Sequence, residues 1–291
     1  MTASLSDWLA LREPADAAAR SHSLTGTIAD AVSSRDPVRV LDLATGTGAN
    51  LRYLVERLPP RQHWLVADLD ADALARLHER TSEWAAARGY VVDAAQAGAF
   101  AIRGERLDCR VDVRRVDLND PPADIFSGRD LVTASALLDL VSERWLRTLA
   151  ARCKAAGAAA LFALNYDGRS VCTPAEPEDD LLREGLNRHQ RRDKGLGGPA
   201  AGPAADRIAL RVFEEAGYRA EIEETNWQLG PEQRALQREL MGGWAEATLE
   251  VEPTLARTVA GWRERRRAHL DAGRSSVVVG HRDFAAWLPA P

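Results

Sequence analysis

Short apolar runs alternate along the chain with longer amphipathic stretches, and this alternation sets the fold class. Val38–Asp42, His63–Ala67, Arg110–Val116, Asp130–Ser135 and Ala158–Leu164 read as five successive strands. Helical spacing follows the first, through Leu51, Leu54, Val55 and Leu58, and an Ala-rich helix follows the second and ends near Gly89. Ser142 caps a helix that closes at Gly157, and a further helix from about Ala204 to Ala216 stops at Gly217. Tyr218–Thr225 alternates like a sixth strand, and Ser276–His281 reads as a last one. The pattern predicts an α/β fold: a doubly wound, seven-stranded, mostly parallel sheet with helices on both faces.

Several stretches lie outside that plan and predict added helical lid segments. Ser6–Val32 reads as one or two helices, and 232–272 as two more. The segment GAFAIRGERLDCRV suggests an extra hairpin turning at Gly104. Asp179–Lys194 has helical spacing and is stopped by a Gly-Leu-Gly-Gly-Pro run. One domain, 1–291, is expected: an N-terminal lid (1–35), a cofactor-binding half (36–166), an inserted substrate segment (167–203) and a C-terminal half (204–291) with a helical insert at 231–273.

The chemistry begins where the first strand ends. VRVLDLATGTGANLRYL (Val38–Leu54) is strand, Gly-rich turn and helix, an arrangement that brings backbone amides close to a ligand. A dinucleotide fingerprint requires a third small residue, but counting on from Gly46 and Gly48 reaches Leu51. Asp42 weighs the same way, because a carboxylate at the strand mouth suits a cationic or donor-rich ligand better than a pyrophosphate. Here the sequence resembles the class I S-adenosylmethionine-dependent methyltransferases, whose first motif runs acid-x-Gly-x-Gly-x-Gly. In this chain it reads Asp42, Leu43, Ala44, Thr45, Gly46, Thr47, Gly48, with Ala44 in place of the first glycine.

Later strand ends extend the resemblance. Asp68 ends the second strand, where a carboxylate accepts hydrogen bonds from ribose hydroxyls; Asp70 and Asp72 suit a helix N-terminus better. By resemblance, Asp117 binds the adenine amine, Leu118 covers the ring, and Ser135 and Leu137 lie against the methionine end. The implied cofactor set is Arg20, Asp42, Ala44, Thr45, Gly46, Gly48, Asn50, Asp68, Leu69, Asp117, Leu118, Ser135 and Leu137. The resemblance is specific over Val38–Asn165 and topological beyond, where it implies an antiparallel last strand.

Acceptor residues are less legible. His189 shares a stripe with Leu182, Leu186 and Asp193 and is a candidate general base, the alternative being a histidine resting on a surface helix. Asp139 and Tyr166 follow strands four and five, where substrates come in such sheets, and complete the catalytic candidates; Asp139 could take a proton, pair with a substrate amine or cap its turn. Asp139, Asn165 and Asp167 loosely resemble the oxygen ligands of magnesium-dependent catechol methyltransferases, but the spacing match is loose and no metal is assigned. Asn-Asp-Pro-Pro (Asn119–Pro122) resembles an amide-methylating motif but follows the wrong strand, and Ala123 replaces its aromatic residue.

Composition narrows the partners. Apolar residues at 45% and charged ones at 28% exclude disorder as the default. A net charge of −5 with no basic stripe disfavours nucleic acid. Three cysteines without a CxxC pair indicate neither a disulfide framework nor a zinc cluster, and fit a reducing cytoplasm. The N-terminus lacks the apolar core of a secretory signal, and no stretch is long enough to span a bilayer. Lysine occurs only at Lys154 and Lys194, a bias of high-GC bacterial genomes. The expected activity is methyl transfer from S-adenosyl-L-methionine to an oxygen or nitrogen of a small molecule, leaving S-adenosyl-L-homocysteine. The alternatives are a non-catalytic protein binding either cofactor form, and an NAD-dependent oxidoreductase.

Overall fold

The computed structural model describes residues 4–96 and 98–289. Its strands are β1 (Val38–Leu43), β2 (Arg61–Asp68), β3 (Val91–Gln96), β4 (Ala99–Arg103), β5 (Asp108–Arg115), β6 (Leu131–Ser135), β7 (Ala159–Thr173), β8 (Arg219–Glu224), β9 (Trp227–Leu229) and β10 (Ser276–Trp287). Its α-helices are α1 (Leu5–Ala19), α2 (His22–Ala31), α3 (Ala49–Leu54), α4 (Ala71–Ala86), α5 (Glu143–Ala156), α6 (Asp179–Gln190), α7 (Ala205–Glu215), α8 (Arg234–Val251) and α9 (Ala256–Asp271).

The strands form one sheet in the order β3-β4-β5-β2-β1-β6-β7-β10-β8, with β9 paired to β10. β5, β2, β1, β6 and β7 run parallel, so their carboxyl ends emerge on one side. β10 is antiparallel to both β7 and β8. β1 is central because Val38, Val40, Leu41 and Leu43 are buried on both of its faces. One face packs α5 and α7 over Leu41, Val132 and Phe162; the other packs α2, α3 and α4 over Val40, Trp64 and Leu161.

Ten strands replace the expected seven. The hairpin turning at Gly104 is β4–β5, and β3 adds antiparallel to β4, extending the sheet beyond β5. β7 and β10 also run past their expected ends and pair as a ribbon from Ser276 opposite Thr173 to Ala286 opposite Ala160. A third cluster, including Trp227, Leu236, Trp244 and Trp262, gathers this ribbon with α8 and α9. Helix starts follow side-chain capping: Ser4, Ser21, Asp70 and Ser142 each accept from backbone N–H groups of the first turn of α1, α2, α4 and α5. Asp70 therefore takes the capping role, and leaves Asp68 at the strand tip.

Candidate active site

The loop after β1 turns through three residues with positive φ: Ala44 (51°), Gly46 (54°) and Gly48 (87°). Glycine tolerates this backbone, whereas Ala44 holds it against its own Cβ. Asp42 is fully buried; its carboxylate accepts from Thr45 Oγ1 at 2.6 Å and from Asn50 Nδ2 at 2.7 Å. Burial pushes the carboxyl up to about 6, against these hydrogen bonds and the nearby Arg20 charge. Asp42 thus organises the loop from beneath. Through Thr45 on one oxygen and Asn50 on the other, it sets the shape of the turn.

Asn50 passes this connection outward. Its Oδ1 accepts from Arg20 Nη1 at 2.9 Å, and its Nδ2 also donates to Thr133 Oγ1. Arg20 is itself buried, at 4% exposure, with Asp283 Oδ2 at 3.5 Å from its Nε and the Tyr53 ring centre 4.3 Å away. Among the described residues, Nε and Nη2 of Arg20 have no hydrogen-bond partner. A buried guanidinium with unused donors suits an anion such as a carboxylate. Arg20, Asn50 and Ser135 line one cleft of about 510 Å³ between α1 and the α3–α4 face. Arg52 and Glu13, paired at 2.7 Å, hold α1 against α3 there.

The remaining sequence-derived positions divide. Asp68 is half-buried; its two oxygens accept from Gly46 N at 2.7 Å and Asp70 N at 2.9 Å, leaving further lone pairs for a ligand. Leu69 beside it is 51% exposed, and Asp117 is exposed with Oδ1 accepting from Asn119 N. Leu118 and Leu137 are instead buried in the core cluster with Val141 and Trp145. Their side chains pack into that cluster, whereas Leu69 presents an exposed apolar surface at the tip of β2.

A second cavity, of about 450 Å³, opens beyond the tip of β6 and beside the middle of β7. Trp8, Trp227 and Trp244 wall it, and Asp139, Tyr166 and His281 face it. All three of the latter are buried, and Asp139 Oδ1, Tyr166 Oη and His281 Nδ1 have no hydrogen-bond partner among the described residues. Burial pushes the Asp139 carboxyl up to about 6 and raises the Tyr166 hydroxyl. The same cause holds His281 down to about 3, so its ring is neutral at neutral pH. The two cavities adjoin at the tip of β6: Ser135 lines the first and its neighbour Ala136, at φ 54°, the second.

His189 does not reach this cavity. Its Nε2 meets Glu250 at 3.1 Å and Lys194 Nζ lies 3.3 Å from Nδ1, so α6 presents it to α8 instead. His281, which reading the sequence left as the end of a strand, takes the buried position. Asn165 is spent on the backbone of Leu138, Phe162 and Arg282, and Asp167 on Arg169. Asp139, Asn165 and Asp167 thus form no ligand set, and among the described residues no group of three or more His, Cys, Asp or Glu side chains is arranged to hold a metal ion.

No protein-family model and no curated protein sequence matches the chain. Solved structures do match it across nearly its whole length. A cyclopropane-fatty-acyl-phospholipid synthase-like protein from Lactobacillus casei is 11% identical, with a TM-score of 0.53 over 94% of this chain and 92% of that one. An S-adenosylmethionine-dependent methyltransferase from Geobacter sulfurreducens, in complex with S-adenosyl-L-homocysteine, is 16% identical, with a TM-score of 0.45 over 93% and 92%. The likeness is one of fold. With five parallel strands flanked by an antiparallel β10 and a glycine loop after the central strand, the chain shares a doubly wound, Rossmann-like fold with the cyclopropane-fatty-acyl-phospholipid synthase-like protein.

Proposed function

We propose that the protein transfers the methyl group of S-adenosyl-L-methionine to a nitrogen or oxygen of a small molecule. The observation that carries this reading is the meeting of two unlike cavities at Ser135 and Ala136. One offers a buried guanidinium with free donors, and the other an aromatic wall with three unpaired polar atoms. The residues suit the cofactor: Arg20 can take an amino-acid carboxylate, Asp68 ribose hydroxyls, and Leu69 with Asp117 the base. Gly46 and Gly48 supply the positive-φ turn that brings the loop to the Asp68 carboxylate.

When bound, the cofactor supplies a methyl already activated by a sulfonium, so the protein's task is chiefly alignment and exclusion of water. Trp8, Trp227 and Trp244 exclude water from the acceptor. Asp139 can take the acceptor's proton, since burial keeps its carboxyl readier to hold one than an exposed aspartate.

Calorimetry with S-adenosyl-L-homocysteine and NAD tests the cofactor assignment. Binding of the thioether without NAD binding is expected, and the reverse overturns it. Methyl transfer from labelled cofactor to a panel of amines and hydroxyl compounds then separates an enzyme from a binding protein.

A further inference from the structure

The cavity beside β6 and β7 carries more information about its occupant than size alone. Its buried Asp139 has Oδ1 without a hydrogen-bond partner among the described residues; Oδ2 accepts a long hydrogen bond, 3.3 Å, from Gln190 Nε2, and the backbone N–H groups of Asp139 and Tyr166 also favour the carboxylate. The exposed Glu239 and Glu246 lie at its wall and add negative charge. The one positive side chain that lines it, Arg12, is neutralised by Asp16 at 2.8 Å and lies 5.1 Å from the Trp227 ring centre. His281 adds no charge at neutral pH. A desolvated carboxylate with an unused oxygen among indole faces favours a cation, because ring quadrupoles and carboxylate attract the same charge. An anionic ligand would meet Asp139 at close range, while the positive charges that act on Asp139, Arg12 and Lys194, also face Asp16 and Glu250.

We propose that this cavity binds a protonated amine carried on an apolar body, with the ammonium at Asp139 and the body between Trp8, Trp227 and Trp244. In the rest of the pocket, Tyr166 Oη and His281 Nδ1 offer hydrogen bonds to a polar group on the same molecule. The identity of this molecule as methyl acceptor rests on the methyl-transfer reading; the binding of an amine does not. In the transfer, an ammonium proton passes to the Asp139 carboxylate and the freed nitrogen lone pair attacks the methyl carbon. The carbon–sulfur bond breaks, sulfur keeps the electron pair as a neutral thioether, and the product is an N-methylammonium.

Indole fluorescence of the purified protein reads this directly, with a graded series of arylalkyl and alkyl primary amines against alcohols and carboxylates of the same carbon skeleton. Amines are expected to bind at least about 10-fold more tightly than the matched alcohols, with carboxylates weakest, and Asp139→Asn should remove that preference while the variant keeps its circular dichroism spectrum. Tyr166→Phe should keep the preference for amines. Equal affinity for amine and alcohol, no binding by any amine of the series, or a preference that survives Asp139→Asn overturns the proposal. Calorimetry with S-adenosyl-L-homocysteine on the same preparation separates the two readings. Thioether binding without amine selectivity sinks this inference alone, and amine selectivity without thioether binding sinks the methyl-transfer reading alone.

Discussion

Leu9 of α1 rests on Gly46, so close that a Cβ placed on the glycine would lie 2.9 Å from Leu9 Cδ1. The glycine also has φ 54°, so an alanine there meets two obstacles at once. Leu9 Cδ1 is the far end of a flexible side chain and can rotate away, whereas the backbone cannot. Gly46→Ala should therefore destabilise the fold by about 1–2 kcal/mol, the cost of a left-handed non-glycine residue. Adding Leu9→Ala should recover little of it. Denaturant unfolding of the single and double variants measures the difference, and full recovery in the double variant would assign the cost to the side-chain contact instead.

Two residues earlier the loop contains the converse case. Ala44 sits at φ 51° where a glycine would be at ease. Ala44→Gly relieves a strain of about 1–2 kcal/mol and loosens the unfolded chain at a cost of about 0.4–1 kcal/mol. The net expectation is a stability change between about zero and about +1.6 kcal/mol. A clear loss of stability in urea would show that the Ala44 methyl, packed against the core cluster, outweighs its backbone.

The ribose assignment stands on Asp68. Asp68→Ala removes an acceptor for charge-assisted hydrogen bonds and should weaken S-adenosyl-L-homocysteine binding by about 1.5–3 kcal/mol. Because Asp68 also holds Gly46 N and Asp70 N, the titration is paired with a thermal melt. A folded variant with unchanged affinity would refute the assignment.

Asp42 gives a pH signature. Its carboxyl is raised from 3.8 to about 6 on folding, so protonation favours the folded state. That contribution is fully present below the unfolded value and is lost as pH rises through about 6. Relative to Asp42→Asn, the wild type should gain stability as pH falls from about 7 to about 3, on the order of 3 kcal/mol. The comparison cancels the titration of other carboxylates, and stability curves that run parallel across this window would show that Asp42 is not raised.

The glycine turn and the strand tips were legible because apolar runs, positive-φ glycines and capping aspartates leave local marks. Asp68 and Asp70, two residues apart, were separable by role from the sequence. Local marks say nothing about what lies across a cavity, however. His189 falls on a plausible helical stripe, but its partner Glu250 lies on α8, far along the chain. His281 was read as ending a strand because β10 continues through it, and only the pairing with β7 brings it near Tyr166, their ring centres 6.3 Å apart. The burial of Asp42 beneath Asn50 and Thr45 is likewise a tertiary fact. The ribbon formed by β7 and β10 was missed for a similar reason, since Asn165, Asp167 and Gly168 resemble a loop, and the pairing passes them through a register shift between Tyr166 and Ser170.

Helix α1 belongs to both cavities. Glu13 and Arg20 near its C-terminal half border the cleft by the glycine loop, and Trp8 and Arg12 border the aromatic one. It is pinned on both sides, by the Glu13–Arg52 pair and by Trp227 Nε1 donating to Asp16. A ligand that displaces this helix on one side therefore alters the other cavity, and any resulting change in affinity is reciprocal, the same factor for both ligands.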